Sequence, residues 1–279
     1  MIFATLFFPQ WEAVQVEEEG KTWDRGPECG LSESEIMTLL VMYHGSHFRH
    51  LKSFYNGVVL PLLKRSFPGL PSYERFVFLQ SRVLVPLTLF LVSKAGRRTG
   101  IYYIDSTALP VCKNLRISRH KTFAGLAARG KTSTGWFFGF KLHIIFNDLN
   151  EIVAIKLTSG NVSNSTPVAS LAKHLVGKLF GDKGYLGKKL AETLLRHALA
   201  LMTRVRKNMK SLPMTIPDKL LLNARNMAET IIGHIKEFSS FNLPNHRAPT
   251  NAFLSLIAAL TAYQLNPIMP RLTAKMQIA

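Results

Sequence analysis

From Trp136 to Phe146 every second residue is apolar: Phe138, Phe140, Leu142, Ile144 and Phe146. A strand sends successive side chains to opposite faces, so this stretch demands a sheet with one wholly apolar face and a core laid against it. The other face carries Lys141 and His143. Asn147–Asn150 reads as a turn, and Ile152–Leu157 returns as the hairpin partner. His143 reads as a sheet histidine satisfied by its neighbours, with a place beside bound phosphate as the less usual alternative.

Other elements surround this hairpin. Ile101–Ile104 is a short buried strand ending at Asp105. Thr166-Pro167 starts a helix, with Pro at the first helical position. Lys178–Gly181 is a short strand ending at Asp182, Lys188–His197 a helix, Leu199–Val205 a strand, and Leu220–Phe238 a helix containing Glu229. A last apolar helix runs from about Ala252 to Leu265. This order gives a mixed α/β sheet with helices on its faces. Residues 30–95 are different in texture. Ser32 and Glu35 have capping-box spacing, and Leu31 and Ile36 can staple the cap. Ile36, Leu39, Leu40 and Tyr43 follow at helical spacing. Pro61 and the Pro68-Gly69 turn precede a second start at Ser72, leading into Phe76, Phe78, Leu79 and Val83. We expect residues 1–98 to form a small helical N-terminal domain, serving DNA binding or dimerisation, and residues 99–279 the mixed-sheet domain.

Charge separates the two parts further. Residues 1–100 hold 11 Lys or Arg and 9 acids, a net of +2, whereas residues 101–279 hold 24 and 8, a net of +16. Such a surplus points to a polyanion, most commonly nucleic acid. Lys113–Lys131 contributes six of these cations and no acid, including Lys113, Arg116, Arg119 and Lys121, with Phe123 inside it and Trp136 just beyond. Arg204–Lys210 is a second basic stretch. The two cysteines, Cys29 and Cys112, exclude a disulfide scaffold and a cysteine zinc site. Met1–Phe8 lacks a basic start and a cleavage site, so it is a poor signal peptide. Val83–Val92, interrupted by Pro86, and Ala252–Leu265 fall short of the roughly 20 apolar residues that span a bilayer, and read as core helices. No membrane partner and a cytoplasmic location are expected. No phosphate-cradling Gly-rich loop ending in Lys-Ser/Thr is present, which argues against nucleotide-driven chemistry.

In a region so poor in acids, the carboxylates that remain stand out. Asp105 and Asp182 each follow a short apolar strand, and ligand sites in open α/β sheets gather at strand carboxyl ends. If the two strands are parallel neighbours, their carboxylates meet at one edge, and Glu229 approaches on a helix. Arg225 precedes Glu229 by four residues and Lys236 follows by seven, on one helix face. Three carboxylates on rigid elements suit Mg²⁺ or Mn²⁺, and two such ions support phosphoryl transfer.

Tyr103–Thr107 (YIDST), Gly135–His143 (GWFFGFKLH), Gly160-Asn161-Val162, Leu179–Tyr185 (LFGDKGY) and Arg204–Asn208 (RVRKN) together resemble the DDE transposases of bacterial insertion sequences, and among these insertion-sequence family 982. The likeness runs from about Leu31 to Pro267. It implies a ribonuclease-H-like mixed sheet with flanking helices. It also implies a catalytic and metal-binding triad of Asp105, Asp182 and Glu229, and double-stranded DNA, both insertion-sequence ends and target, as substrate. The expected protein is a homodimer when assembled on DNA, in the bacterial cytoplasm at the nucleoid, with Lys113, Arg116, Arg119, Lys121, Arg225 and Lys236 as DNA contacts. Two departures are visible: a related signature has Tyr where this chain has Leu222, and Met1 to about Gly20 does not resemble the family's usual start. A nuclease of the same fold and a catalytically decayed DNA-binding remnant are the alternative readings.

Overall fold

The structure, a computed structural model, describes residues 30–46, 48–133, 135–204, 214–238 and 243–266. The chain divides into two compact units. The first takes in Met1–Lys94, Lys121–Phe123 and His234–Pro267, and the second Ala95–His120, Ala124–Gly233 and Ile268–Ala279.

In the first unit, helix α1 (Glu33–His44) begins at the expected capping box: Ser32 accepts from the Glu35 N–H, and the Glu35 carboxylate accepts from the Ser32 N–H at 2.7 Å. Leu31, Ile36, Leu39, Leu40 and Tyr43 are buried, as their spacing requires. Helix α2 starts as Leu51–Phe54, widens to a π turn over Tyr55–Val59 and ends as Leu60–Leu62. Pro61 has no N–H to offer the carbonyl four residues back, which accounts for the wider turn just before it. Helix α3 (Tyr73–Leu79) is capped by Ser72, passes through a 3₁₀ turn at Gln80–Val83 and continues as α4 (Leu84–Ser93). Phe76, Leu79 and Val83 are buried, but Phe78 is half exposed, with the Arg75 guanidinium over its ring. The continuous run Tyr73–Ser93 is 21 residues, long and apolar enough to cross a membrane. It is thus longer than the Val83–Val92 stretch suggests, yet Phe76, Leu79, Val83, Leu84, Leu87 and Leu91 face the protein core.

The expected C-terminal helix is the last described helix, α9 (Pro249–Gln264). Eleven of its residues are buried, from Thr250 to Tyr263, and it packs against α1 and α4. Ser255 Oγ meets His44 Nε2 of α1 at 3.1 Å, and Gln264 Nε2 donates to the Lys94 carbonyl at the end of α4. A helix apolar on all sides is the centre of a core, and this one is shared by elements far apart in sequence.

The second unit is built on a six-stranded sheet. Its strands are β1 (Ile101–Cys112), β2 (Ala128–Thr132), β3 (Gly135–Asn147), β4 (Ile152–Ser159), β5 (Gly177–Gly181) and β6 (Leu199–Thr203), in the order β2-β3-β1-β5-β6 with β4 also on β3. The β1–β3, β2–β3 and β3–β4 pairs are antiparallel, and β1–β5 and β5–β6 are parallel. Short helices α5 (Val168–Leu171) and α6 (Lys188–Leu195) provide the crossovers that parallel pairing needs. This is the expected mixed α/β sheet with flanking helices: an antiparallel half and a parallel half that meet at β1.

Two strands exceed what their sequences suggest. β1 does not stop at Asp105 but runs on to Cys112, and β2 forms inside the basic segment. Asp, Ser and Pro, or Arg-Gly-Lys, are poor strand formers. The long apolar β3 supplies the partner that holds both, and Pro110 sits at a break in the β1–β3 register, where its missing N–H is tolerated. On one sheet face, Tyr102, Ile104, Ile145, Leu179 and Leu199 pack under Val168, Ala172, Leu175, Tyr185 and Leu194. The other face carries Phe140, Leu142, Ile144 and Phe146, all buried, opposite Leu109, Thr107, Asp105 and Tyr103 of β1. β3 is therefore covered on both faces over its second half, and only Lys141 is partly open there.

Candidate active site

The β1–β5 ladder pairs Ile101 with Lys178, Tyr102 with Leu179 and Tyr103 with Phe180. Two residues on along each strand stand Asp105 and Asp182. The same register therefore sets them side by side on one face of adjacent parallel strands, which lie roughly 4.8 Å apart. The rings of Tyr103 and Phe180, one residue pair earlier on that face, lie 5.7 Å apart and form the floor.

Each carboxylate is held by its own chain. Asp105 Oδ1 accepts from the Ser106 N–H at 2.8 Å, and Asp182 Oδ1 from the Gly184 N–H at 2.7 Å, opening the 3₁₀ turn Lys183–Tyr185. At Gly184 a Cβ would stand 2.9 Å from Asp182 Oδ1, so a larger residue there would push that carboxylate aside. At Gly181 a Cβ would crowd Tyr185 and Ile104. Gly160, from another of the sequence motifs, packs its backbone on β2 and β3 so closely that a Cβ would collide with the Ala128 carbonyl.

The helical segment expected over Leu220–Phe238 is two helices, α7 (Ile216–Ala224) and α8 (Asn226–Phe238), jointed at Arg225. α7 is tied to the sheet by the Lys178–Asp218 ion pair at the start of β5. Seven residues later Arg225 lies within the electrostatic reach of Asp105 and Tyr185, beyond the other end of β5. Seven helical residues rise about 10 Å and four strand residues about 13 Å, so α7 runs along β5 in the same direction. Arg225, mostly buried, donates to Glu229 Oε1 at 2.8 Å, while Glu229 itself is 60% exposed. Lys236 is exposed further along α8.

The electrostatics mark Asp105. Burial pushes its carboxyl up to about 6, and Asp182 and Glu229 add to the rise. The Ser106 N–H and the Arg225 guanidinium pull the other way without cancelling it. Asp182, Glu229 and Arg225 thus all lie within electrostatic reach of Asp105. Among the described residues no three His, Cys, Asp or Glu side chains stand close enough to enclose a metal ion as they are. The donor set nevertheless suits a hard cation: carboxylate oxygens only, the ligand type such ions take.

Beneath Asp105, on the opposite sheet face, runs a polar stripe of which the sequence singled out only His143. Ser106 pairs with His143, which is fully buried and meets Thr158 Oγ1 through Nε2 at 3.0 Å. Tyr185 is also fully buried, with Ser106 its polar neighbour but outside hydrogen-bonding geometry. Burial drives the Tyr185 hydroxyl pKa upward and takes that of His143 down to about 4, helped by Lys141 and Lys156. His143 is satisfied through Nε2 only, its Nδ1 being buried with no hydrogen-bond partner. Ser106 and Tyr185 lie within two of the motifs, and the alternation of β1 was the available signal for the face they occupy.

Lys113, Arg116, Arg119 and Lys121 are exposed, the first three on or beside the 3₁₀ segment Asn114–Arg119 that follows β1. Lys113 follows Asp105 by eight residues along β1, roughly 26 Å of strand. Phe123 is buried and packs on Phe253, so it is unavailable to a ligand, whereas Trp136 is open to solvent. Of the Arg204–Lys210 stretch, Arg204 is exposed and bonded to Asn223; residues 205–210 lie outside the described set.

Against known families, residues 95–249, more than half of the chain, match the family described as "Transposase DDE domain". No curated protein matches. Two solved structures show a loose likeness. The piggyBac transposase synaptic complex with hairpin DNA has a TM-score of 0.44 at 11% identity, covering 98% of this chain and 82% of that one. The pre-cleavage Mos1 transpososome has a TM-score of 0.23 at 12% identity, covering 88% and 79%. At such scores neither bears on the site.

Proposed function

This chain belongs to the DDE transposase domain family, and from that premise we propose that Asp105, Asp182 and Glu229 are the carboxylates with which it cuts insertion-sequence ends and joins them to target DNA, as a member of insertion-sequence family 982. The observation that carries this reading is the β1–β5 register, which sets Asp105 beside Asp182 at the edge that Arg225 and Glu229 approach.

Asp105, Asp182 and Glu229 would hold divalent ions, two of Mg²⁺ or Mn²⁺, which when bound activate the attacking oxygen and neutralise charge on the phosphate. The chain's own groups do the rest. The Ser106 and Gly184 N–H groups fix the two aspartates, and the Tyr103–Phe180 floor keeps the carboxylates on a rigid base. Arg225, at the end of α7 and paired with Glu229, would grip a phosphate bidentately. Lys113, Arg116, Arg119, Lys121 and Lys236 would bind the DNA backbone, each neutralised phosphate releasing counterions. The working form is a homodimer assembled on DNA, at the nucleoid of the bacterial cytoplasm.

The test is incubation of the purified protein with labelled ends of its own element, supercoiled target DNA and Mg²⁺ or Mn²⁺. We expect cleaved ends and joined products. Asp105→Ala, Asp182→Ala and Glu229→Gln should each lower turnover by orders of magnitude while folding and DNA binding persist. Cleavage without joining would identify a nuclease of the same fold. Undiminished cleavage by Glu229→Gln would remove Glu229 from the triad.

A further inference from the structure

One face of the β2–β3 hairpin is aromatic, cationic and unused by the reading above. Trp136 is 62% exposed, whereas Tyr102, Tyr103, Phe146, Phe180 and Tyr185 of the same unit are fully buried. Cross-strand pairing sets Lys131 opposite Trp136 and Arg129 opposite Phe138, and strand alternation puts all four on one face. Lys131 Nζ lies over the indole, 5.6 Å from the ring centre. The Trp136 carbonyl accepts from Asn114 Nδ2 at 2.9 Å, which ties this strand to the 3₁₀ segment bearing exposed Arg116 and Arg119. From Ser106 to Asn147 the chain has no Asp or Glu. A single exposed apolar side chain is ordinary. An indole with an ammonium on its ring, in surroundings free of acid, is complementary to a ligand with an aromatic face and an anionic backbone.

We propose that Trp136 is a stacking subsite for an unpaired base of a DNA strand, with Arg129 and Lys131 on the flanking phosphates. The proposal rests on the reading that this chain acts on DNA, and it names a strand form that the carboxylate site does not require. In a duplex both faces of each base are covered by neighbours, so an indole can stack only on a base that has left the helix or has no partner. Every base offers such a face, so the subsite is tolerant of sequence. Its position is also informative. Phe138 pairs with Cys112, seven residues along β1 from Asp105, roughly 23 Å of strand. The stacked base is therefore not the one beside the bond being cut but lies on a strand separated further along.

The test compares full-length wild type, Trp136→Ala and Trp136→Phe by fluorescence anisotropy. The probes are a blunt mixed-sequence duplex and the same duplex with an oligothymidine extension, without divalent metal. Wild type should prefer the extended probe. Trp136→Ala should bind that probe about tenfold more weakly and the blunt duplex as wild type does, and Trp136→Phe should restore most of the difference. Equal losses on both probes, or none on either, would overturn the stacking subsite while leaving DNA binding intact. Failure of wild type to bind the blunt duplex would overturn the underlying DNA reading instead. Sedimentation of Trp136→Ala closes the remaining route: if the substitution dissolves a dimer, the indole is covered by a second copy and the proposal fails.

Discussion

At neutral pH the Asp105 carboxyl, with a pKa near 6, is mostly ionised in a setting that disfavours the charge. Because its folded pKa is raised above the unfolded value of 3.8, its contribution to stability is full below about pH 3.8 and is lost as pH rises through about 6. Asp105→Asn should therefore raise the melting temperature of the metal-free protein by a few degrees at pH 7. Mg²⁺ or Mn²⁺ should raise the melting temperature of wild type, since whatever binds only the folded state stabilises it, and should do so far less for Asp105→Asn. An equal metal response in the two proteins would take Asp105 out of the metal site. His143 has the opposite sign. Its pKa falls from 6.5 to about 4, so its contribution is full above about pH 6.5 and lost as pH falls through about 4. His143→Gln removes this titration, and its stability measured by urea midpoint should decline less than that of wild type between those limits. Between about pH 4 and 6 the two residues oppose each other, so each single variant should expose the slope of the other.

Among the elements, α7 links the sheet to the chemistry. Its first turn is held by Thr215, which accepts from the Asp218 N–H, and by the Lys178–Asp218 ion pair, in which Asp218 is almost fully buried. Asp218→Ala should cost about 1–2 kcal/mol by loss of these cap and charge contacts. If α7 aims Arg225, cleavage should fall by more than the stability change explains, with affinity for blunt duplex retained. Arg225→Ala separates two roles. Pairing with Glu229 alone is worth a few tenths of a kcal/mol, whereas a phosphate-gripping Arg225 predicts weakened binding of element ends with little change in melting. Normal end binding by Arg225→Ala would leave only the pair. The sequence made some of these elements legible and hid others, for identifiable reasons. The capping box at Ser32 and the apolar alternation of β3 are local signals, and the structure carries both. The side-by-side placement of Asp105 and Asp182 was visible only as a condition on strand order, which no local pattern encodes. β2, the extension of β1 beyond Asp105 and the joint at Arg225 depend on partners distant in sequence. So does the burial of Phe123, which lies inside a basic run.

For the whole molecule, charge and topology make separate statements. If about six phosphates are neutralised, the logarithm of the DNA affinity should fall against that of salt concentration with a slope near −5. Lys113→Ala, Arg116→Ala and Arg119→Ala combined in the full chain should flatten that slope by about 3; an unchanged slope would move the backbone-binding surface elsewhere. An isolated fragment of residues 1–100 is a poor instrument for this question, because the core of α1 and α4 includes α9, contributed from Pro249–Gln264. The same arrangement bears on how the protein is made. On the ribosome α1–α4 emerge first, yet the helix that fills their core is translated only after the whole sheet. Until then Leu39, Leu40, Leu87 and Leu91 have no α9 to bury them, and the nascent chain is a natural client for chaperones. A stop codon between Glu229 and Pro249 would yield a product that carries all three carboxylates but leaves the first unit unfinished. Such messages should produce rapidly degraded or aggregated protein rather than a lasting competitor for DNA.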